Sequence, residues 1–173
     1  MNSEPLVNTS IDLNPEGVRE NHIVISDEDK ERFFKSVLSD NPYEETIELF
    51  GGQHKVRFKA MTVQENSDVV NQITADRKRG VADDTDAYYI TIASYRLALS
   101  LVSVDGQPFS SVTRENFSAS TEHDSFVLSR MRVITGWATP KLSVYLAAFQ
   151  SFEAKVIKLT NEVQSPNFWK ASA

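Results

Sequence analysis

Apolar residues in the last third of the chain recur at alternating spacings of three and four. This heptad pattern predicts one long helix with a continuous apolar stripe along one side. A helix of this kind must cover its stripe, either with its own domain or with another chain. Thr139 is expected to cap this helix, with Pro140 at its first position, where the missing N–H costs nothing. The stripe consists of Leu142, Tyr145, Phe149, Phe152, Val156, Leu159 and Val163.

A β-hairpin is predicted in the first third of the chain. Residues 44–50 and 53–60 alternate apolar and polar side chains and flank a Gly-Gly pair, a typical two-residue turn. Pairing through this turn sets Ile47 opposite Val56 on one face of the hairpin. On the other face it sets glutamates opposite lysines, as stable cross-strand pairing requires.

Capping residues and apolar periods predict further elements around the hairpin. A short strand is expected at residues 22–25. Helices are expected at residues 26–38, 62–79, 85–105 and 121–135. The predicted fold class is therefore α+β and mostly helical, with a small β-hairpin near the N-terminus and a C-terminal bundle of about four helices.

The elements divide the sequence into three segments. Residues 1–21 are polar, contain two prolines and show no sustained period, which predicts an extended N-terminal arm. Residues 22–62 form a predicted subdomain of one helix and the hairpin. Residues 63–173 form a predicted helical bundle that ends in an aromatic tail.

Composition excludes several kinds of site and partner. The chain has 173 residues, a formal net charge of −6 and no cysteine. The acidic balance argues against nonspecific nucleic-acid binding, and the lack of thiols excludes disulfides and zinc–thiolate sites. No apolar run approaches the ~20 residues of a membrane span, and no secretory leader is expected. We therefore predict no nucleic-acid or membrane partner, and synthesis in the cytoplasm of the cell that makes the protein.

Candidate chemistry is sparse. His123, Asp124 and Ser125 are the residue types of a catalytic triad, but adjacent residues do not converge on a helix or strand. The acidic run at 83–86 lacks the glycine and distal glutamate of a calcium loop, and the basic run at 77–79 suits a helix C-terminus. We predict no catalytic, cofactor-binding or metal-binding residues. A small soluble enzyme or ligand-binding domain, with a site assembled from distant segments, stays an alternative.

Binding to other proteins is the function that the apolar residues favour. The stripe is interpreted either as a core helix or as a helix whose later turns dock a partner. Two aromatic residues that follow Pro166 either pack back on the bundle or insert into a neighbour as anchors. The candidate partner-binding residues are Val156, Leu159, Val163, Phe168 and Trp169.

The order of these features resembles small tail proteins of tailed bacteriophages, the group of tail assembly chaperones and small baseplate components. The resemblance covers residues 53–170. It is based on a hairpin ending at 56–65 and followed by a helix, on residues 95–99 leading to 104–109, and on a long helix closing at 167–170.

This resemblance implies a non-enzymatic virion tail or baseplate protein. Such a protein bridges neighbouring tail proteins, here through the arm and the C-terminal helix, within a hetero-oligomeric assembly. The alternative within the group is a tail assembly chaperone that binds the tape-measure protein and is absent from the virion.

Overall fold

Five helices and a four-stranded sheet make up residues 23–81 and 85–165, the part of the chain that this computed structural model describes. The helices are α1 (Asp27–Ser39), α2 (Val63–Lys78), α3 (Asp86–Ser100), α4 (Phe126–Thr135) and α5 (Thr139–Val163). The strands are β1 (Glu44–Leu49), β2 (His54–Lys59), β3 (Leu101–Val104) and β4 (Gln107–Pro108), antiparallel in the order β1-β2-β3-β4. The predicted α+β class, with most helices in the C-terminal part, is confirmed.

Some predictions concern residues outside these ranges. The N-terminal arm at 1–21, part of the acidic run at 83–86, and both aromatic tail residues, Phe168 and Trp169, lie outside the described residues. The predicted strand at 22–25 is wrong for the residues that the structure describes, since residues 23–26 form no strand there.

The hairpin has the predicted register. Ile47 lies opposite Val56, and glutamates of β1 lie opposite lysines of β2. Val56 is fully buried while Ile47 is partly buried, so this face of the hairpin packs inward. The connection is longer than predicted, because the ladder ends at Leu49 and His54 and leaves four residues, 50–53, to close the turn.

Strand β3 corrects the predicted course of the third helix. That helix was expected to continue to about residue 105, but it ends at Ser100, and the chain then forms β3 and β4. Leu101 and Ser103 are buried and alternate with less buried valines, the period of a strand. Val104 pairs with Val56 of β2, so the free edge of the hairpin recruits this segment into the sheet.

The helix starts are set by side-chain caps. Capping boxes at Ser26 and Thr62 begin α1 and α2 as predicted. Helix α4 begins at Phe126 and not near residue 121, because the Ser125 hydroxyl accepts the Leu128 N–H at 3.1 Å. The predicted Thr139 cap of α5 is wrong, because Thr139 lies inside the helix and Ala138 is the N-cap residue, with no side-chain cap hydrogen bond.

The apolar stripe of α5 lies in the core of its own chain. Phe149 and Phe152 pack beside Phe58 on the inner face of the hairpin, and Phe152 stacks on Tyr43 at a ring-centroid distance of 6.1 Å. Leu159 is buried in the same core cluster. The interpretation of the stripe as a core helix is confirmed. The predicted segments 22–62 and 63–173 both contribute to this core.

A second apolar cluster fixes α2, α3 and α4 against one another. Its buried members are Val69, Tyr95, Leu99, Phe126 and Val127. The Arg130 side chain closes this region, because its guanidinium donates to the carbonyls of Ala98 at 2.7 Å, Leu101 at 2.8 Å and Val112 at 2.9 Å. Burial lowers the pKa of Arg130. The bonds to Ala98 and Leu101 occupy carbonyls at the end of α3 that no helical N–H satisfies, and the bond to Val112 fixes the loop after β4 beside them.

Candidate protein-binding groove

A groove with a volume of about 180 Å³ lies between α3, α5 and the segment that joins β2 to α2. We call it the α3–α5 groove. It is lined by Lys59, Ala60, Met61, Asn66, Arg96, Ser100, Phe149, Phe152, Glu153, Val156 and Ile157. Four elements therefore contribute to one depression on the surface.

The groove has an apolar centre and a charged rim. Phe149 and Phe152, two buried residues of the α5 stripe, form its floor. Ile157 is 61% exposed although it is a large apolar residue, and it forms part of the α5 wall. Arg96 and Glu153 form an ion pair across the two helices. This arrangement is typical of protein–protein contacts, in which a desolvated apolar centre is surrounded by polar groups.

A buried hydroxyl holds the β2 side of the groove in place. Ser100, in the last turn of α3, donates from Oγ to the Lys59 carbonyl at 2.5 Å. The capping box of α2 then fixes the chain after Met61, because Thr62 and Glu65 bond each other reciprocally. The groove is therefore built on helix ends and a strand end, which position side chains more precisely than a long loop does.

Exposed apolar residues extend beyond the groove. Tyr89 is exposed and lies seven residues before Arg96, on the same face of α3. Val70 is exposed and lies one helical turn after Asn66 on α2. The apolar surface available to a partner is thus larger than the groove itself.

The structure separates the candidate partner-binding residues. Val156 lines the groove and is partly buried, and Val163 is partly buried against the core. Leu159 is fully buried in the core and presents no surface in this conformation. Sequence reasoning missed Ile157, because it lies beside the heptad stripe and not on it. The available signal was an isoleucine next to Val156 on the side of the helix that the stripe leaves uncovered.

A second, wider cavity of about 700 Å³ lies beside α2 and the start of α4 and includes the three residues of triad type. Their side chains do not form a triad. The Ser125 hydroxyl donates to Gln72 Oε1 at 2.6 Å, and the nearest acid to His123 is Glu122, at 3.6 Å. Asp124 instead accepts from Ser120, and these hydrogen bonds lower the pKa of its carboxyl.

We expect Ser125→Ala to lower the free energy of unfolding by about 1–2 kcal/mol, because it removes the α4 N-cap and the bond to Gln72. Urea denaturation measures this loss. Ser129→Ala in the same helix is the control and should change stability by less than about 0.5 kcal/mol. An equally stable Ser125→Ala protein would contradict a capping role.

A cluster of buried charges joins α1, β1 and α5. Lys155 Nζ lies 3.0 Å from Asp29 Oδ1 and 2.8 Å from Glu45 Oε1, and Arg32 also bonds Asp29 at 2.8 Å. Burial opposes the charged form of Asp29, but hydrogen bonds from Lys155, Ser26 and Arg32 outweigh burial and hold its pKa well below the usual range. Through Lys155 the cluster links α1 and β1 to α5. It lines neither of the two cavities described above.

A second polar cluster connects α2 to α3. The buried Asp76 carboxylate accepts from Tyr95 Oη at 2.9 Å, from Tyr88 Oη at 3.4 Å and from Gln72 Nε2 at 2.9 Å, and it pairs with Arg79. Burial, with this carboxylate beside it, raises the pKa of Tyr95. All these groups bond the Asp76 carboxylate, so the cluster holds the two helices together.

No protein-family model, curated protein or solved structure matches the chain. The functional argument therefore depends on the geometry of the chain itself. Within residues 23–81 and 85–165, no three His, Cys, Asp or Glu side chains are grouped as metal ligands. Among helices α1 to α5, none combines the length and the apolar character needed to cross a bilayer.

Proposed function

We propose that the chain is a non-enzymatic structural protein of a bacteriophage tail or baseplate, which binds neighbouring tail proteins through the α3–α5 groove and its N-terminal arm. The α3–α5 groove is the observation on which the binding role depends. The phage assignment depends on the order of features over residues 53–170. The groove and the order of features both support a protein that binds other proteins in an assembly.

The groove favours binding of one large apolar anchor. Its floor is made of Phe149 and Phe152, whose rings are already fixed by the core, so little side-chain entropy is lost when a partner binds. Aromatic and aliphatic anchors that fill such pockets contribute most of the affinity of a protein interface. The ion pair of Arg96 and Glu153 at the rim provides polar groups that orient the partner.

A helix-lined groove also suits transient capture of an amphipathic segment, which supports the tail assembly chaperone as a second candidate. Mass spectrometry of purified particles from the phage that encodes this chain distinguishes the two. The structural role predicts the chain in finished virions. The chaperone role predicts the chain in assembly extracts together with the tape-measure protein, and its absence from finished virions. A chain found in neither fraction would contradict both.

We expect Ile157→Asp to weaken binding to the tail partner by at least about tenfold, since it places a charge at the apolar wall of the groove. Because Ile157 is exposed, stability should change by less than about 0.5 kcal/mol. Isothermal titration with the purified neighbour measures the affinity, and urea denaturation measures the stability.

The matched control for this variant is Val81→Asp, at an exposed valine after α2 that does not line the groove. It should bind as the unmodified chain does. Equal affinities for both variants would show that the partner binds elsewhere.

A further inference from the structure

Helix α1 presents an apolar face that the rest of the described chain leaves largely uncovered. Val37 is 54% exposed and Leu38 is 69% exposed, and Phe34 beside them is partly buried. These positions share one side of the helix because residues three and four apart are neighbours on a helix surface. We call the two exposed residues, Val37 and Leu38, the α1 face. Its position in the fold decides what can cover it.

The α1 face is directed toward the end of α5. Lys30 lies one turn before Phe34 on the same side of α1, and its Nζ is 3.8 Å from Glu162 Oε2. Glu162 belongs to the last turn of α5, which ends at Val163. The Ser165 N–H donates to the Glu162 carbonyl at 2.9 Å and closes this helix end. The chain therefore leaves α5 close to the α1 face.

The residues that follow have the composition to cover this face. Residues 166–173 read Pro-Asn-Phe-Trp-Lys-Ala-Ser-Ala and lie outside the described residues. Pro166 cannot continue the helix with a normal backbone bond. Phe168 is three residues beyond Ser165, a reach of roughly 10 Å in extended chain. The segment therefore has two aromatic residues within a few positions of the end of α5.

Charge complementarity supports the same placement. The last turn of α1 contains no basic residue, and its C-cap residue is Asp40. A cation placed there would compensate the negative end of the helix dipole. Lys170 follows Trp169 directly in the sequence. A segment that sets Trp169 on the α1 face brings this lysine near the end of α1.

We propose that the C-terminal segment, residues 166–173, packs Phe168 and Trp169 against the α1 face of its own chain. The segment then acts as a strap that holds α1 on α5. This proposal does not depend on the proposed function, because the α1 face and the α3–α5 groove share no residue. It assigns the two aromatic residues to the chain's own surface and leaves the groove to the partner.

Tryptophan fluorescence tests the proposal on the full chain. The signal of Trp169 is obtained as the difference between the unmodified chain and a Trp169→Phe variant. We expect this signal to be shifted to shorter wavelength and protected from acrylamide, compared with a free peptide of residues 165–173. Leu38→Asp should shift the signal back toward that of the peptide. Val70→Asp, at an exposed valine on α2, should leave it unchanged.

Three results would overturn the proposal. The first is a Trp169 signal identical to that of the free peptide in the unmodified chain. The second is an equal response to Leu38→Asp and Val70→Asp. The third is protection that increases with protein concentration, which would mean that the segment binds a second copy.

A truncation provides an independent measurement. Leu38→Asp should destabilise the full chain more than it destabilises a chain that ends at Ser165. Only the full chain contains Phe168 and Trp169, so only there can the substitution remove their contacts with the α1 face. Urea midpoints of the four proteins give this coupling. Additive effects would overturn the proposal.

Discussion

Replacing Phe152 by alanine is expected to lower the free energy of unfolding by about 3–5 kcal/mol, the cost of a large-to-small change in a core. Phe152 is buried, and its ring lies 5.7 Å from that of Phe58 and 6.1 Å from that of Tyr43. The substitution leaves a cavity where α5, β2 and the start of β1 meet. Urea denaturation followed by circular dichroism measures the loss.

The control for this prediction is Ile157→Ala in the same helix. Ile157 is mostly exposed, so its truncation should change stability by less than about 0.5 kcal/mol. Because both residues belong to α5, a general loss of helix propensity would affect them alike. Equal stability of the Phe152→Ala protein and the unmodified chain would show that the stripe does not organise the core.

The parts of the fold predicted correctly from the sequence are those fixed by local chemistry. The register of β1 and β2 follows from the turn and from alternation, and two capping boxes fix the first turns of α1 and α2. The α5 stripe was predictable because its period extends over seven apolar positions. In each case the residues that determine the element are neighbours in sequence.

Strand β3 could not be predicted in this way. The apolar run from Leu97 to Val104 has neither a clear helical nor a clear strand period, because α3 and β3 are both buried there. The change from helix to strand depends on the free edge of β2 and on the carbonyls of Ala98 and Leu101, which Arg130 satisfies. Both are contacts between distant segments, so tertiary structure decides the boundary.

The α3–α5 groove has the same origin. It depends on Met61, Arg96 and Ile157, which come from three separate segments of the chain. Sequence periodicity identified Val156 beside them but could not show that Leu159, one turn further along α5, is enclosed by the core. The stripe predicts which side of α5 is buried. Which residues on that side still line a surface groove depends on how α3 packs against α5.

The buried charges are a further feature that periodicity does not show. Lys155 lies next to Val156 of the apolar stripe, and its side chain is 13% exposed. A lysine in this position requires carboxylates beside it, since an unpaired buried charge is costly. Those carboxylates come from Asp29 and Glu45, more than 100 residues away in the sequence. The cluster thus favours one particular packing position of α1 and β1 against α5.

We therefore expect Lys155→Met to lower the free energy of unfolding by about 3 kcal/mol near neutral pH, since it leaves the buried Asp29 and the partly buried Glu45 without their shared cation. Urea denaturation measures the loss. Lys35→Met is the control: its ion pair with Glu31 is exposed and screened by solvent, and its removal should leave stability almost unchanged. A Lys155→Met loss no larger than that of the control would show that the cluster does not hold α1 and β1 on α5.

The pH dependence of this loss tests its cause. In the unmodified chain burial alone would raise the pKa of Asp29. The hydrogen bonds to its carboxylate lower this pKa by more than burial raises it, so the folded pKa lies below the unfolded value. The charged carboxylate therefore stabilises the fold above the unfolded pKa of about 4, and this stabilisation is lost as the pH falls toward the folded pKa. Without the hydrogen bond from Lys155, the effect of burial on the pKa of Asp29 is less compensated. The carboxylate of the variant therefore takes up its proton at a higher pH than that of the unmodified chain. The difference in stability between the two proteins should accordingly narrow as the pH falls below about 4 toward the folded pKa of Asp29. A difference that stays constant over this range would assign the loss to packing of the lysine stem and not to its charge.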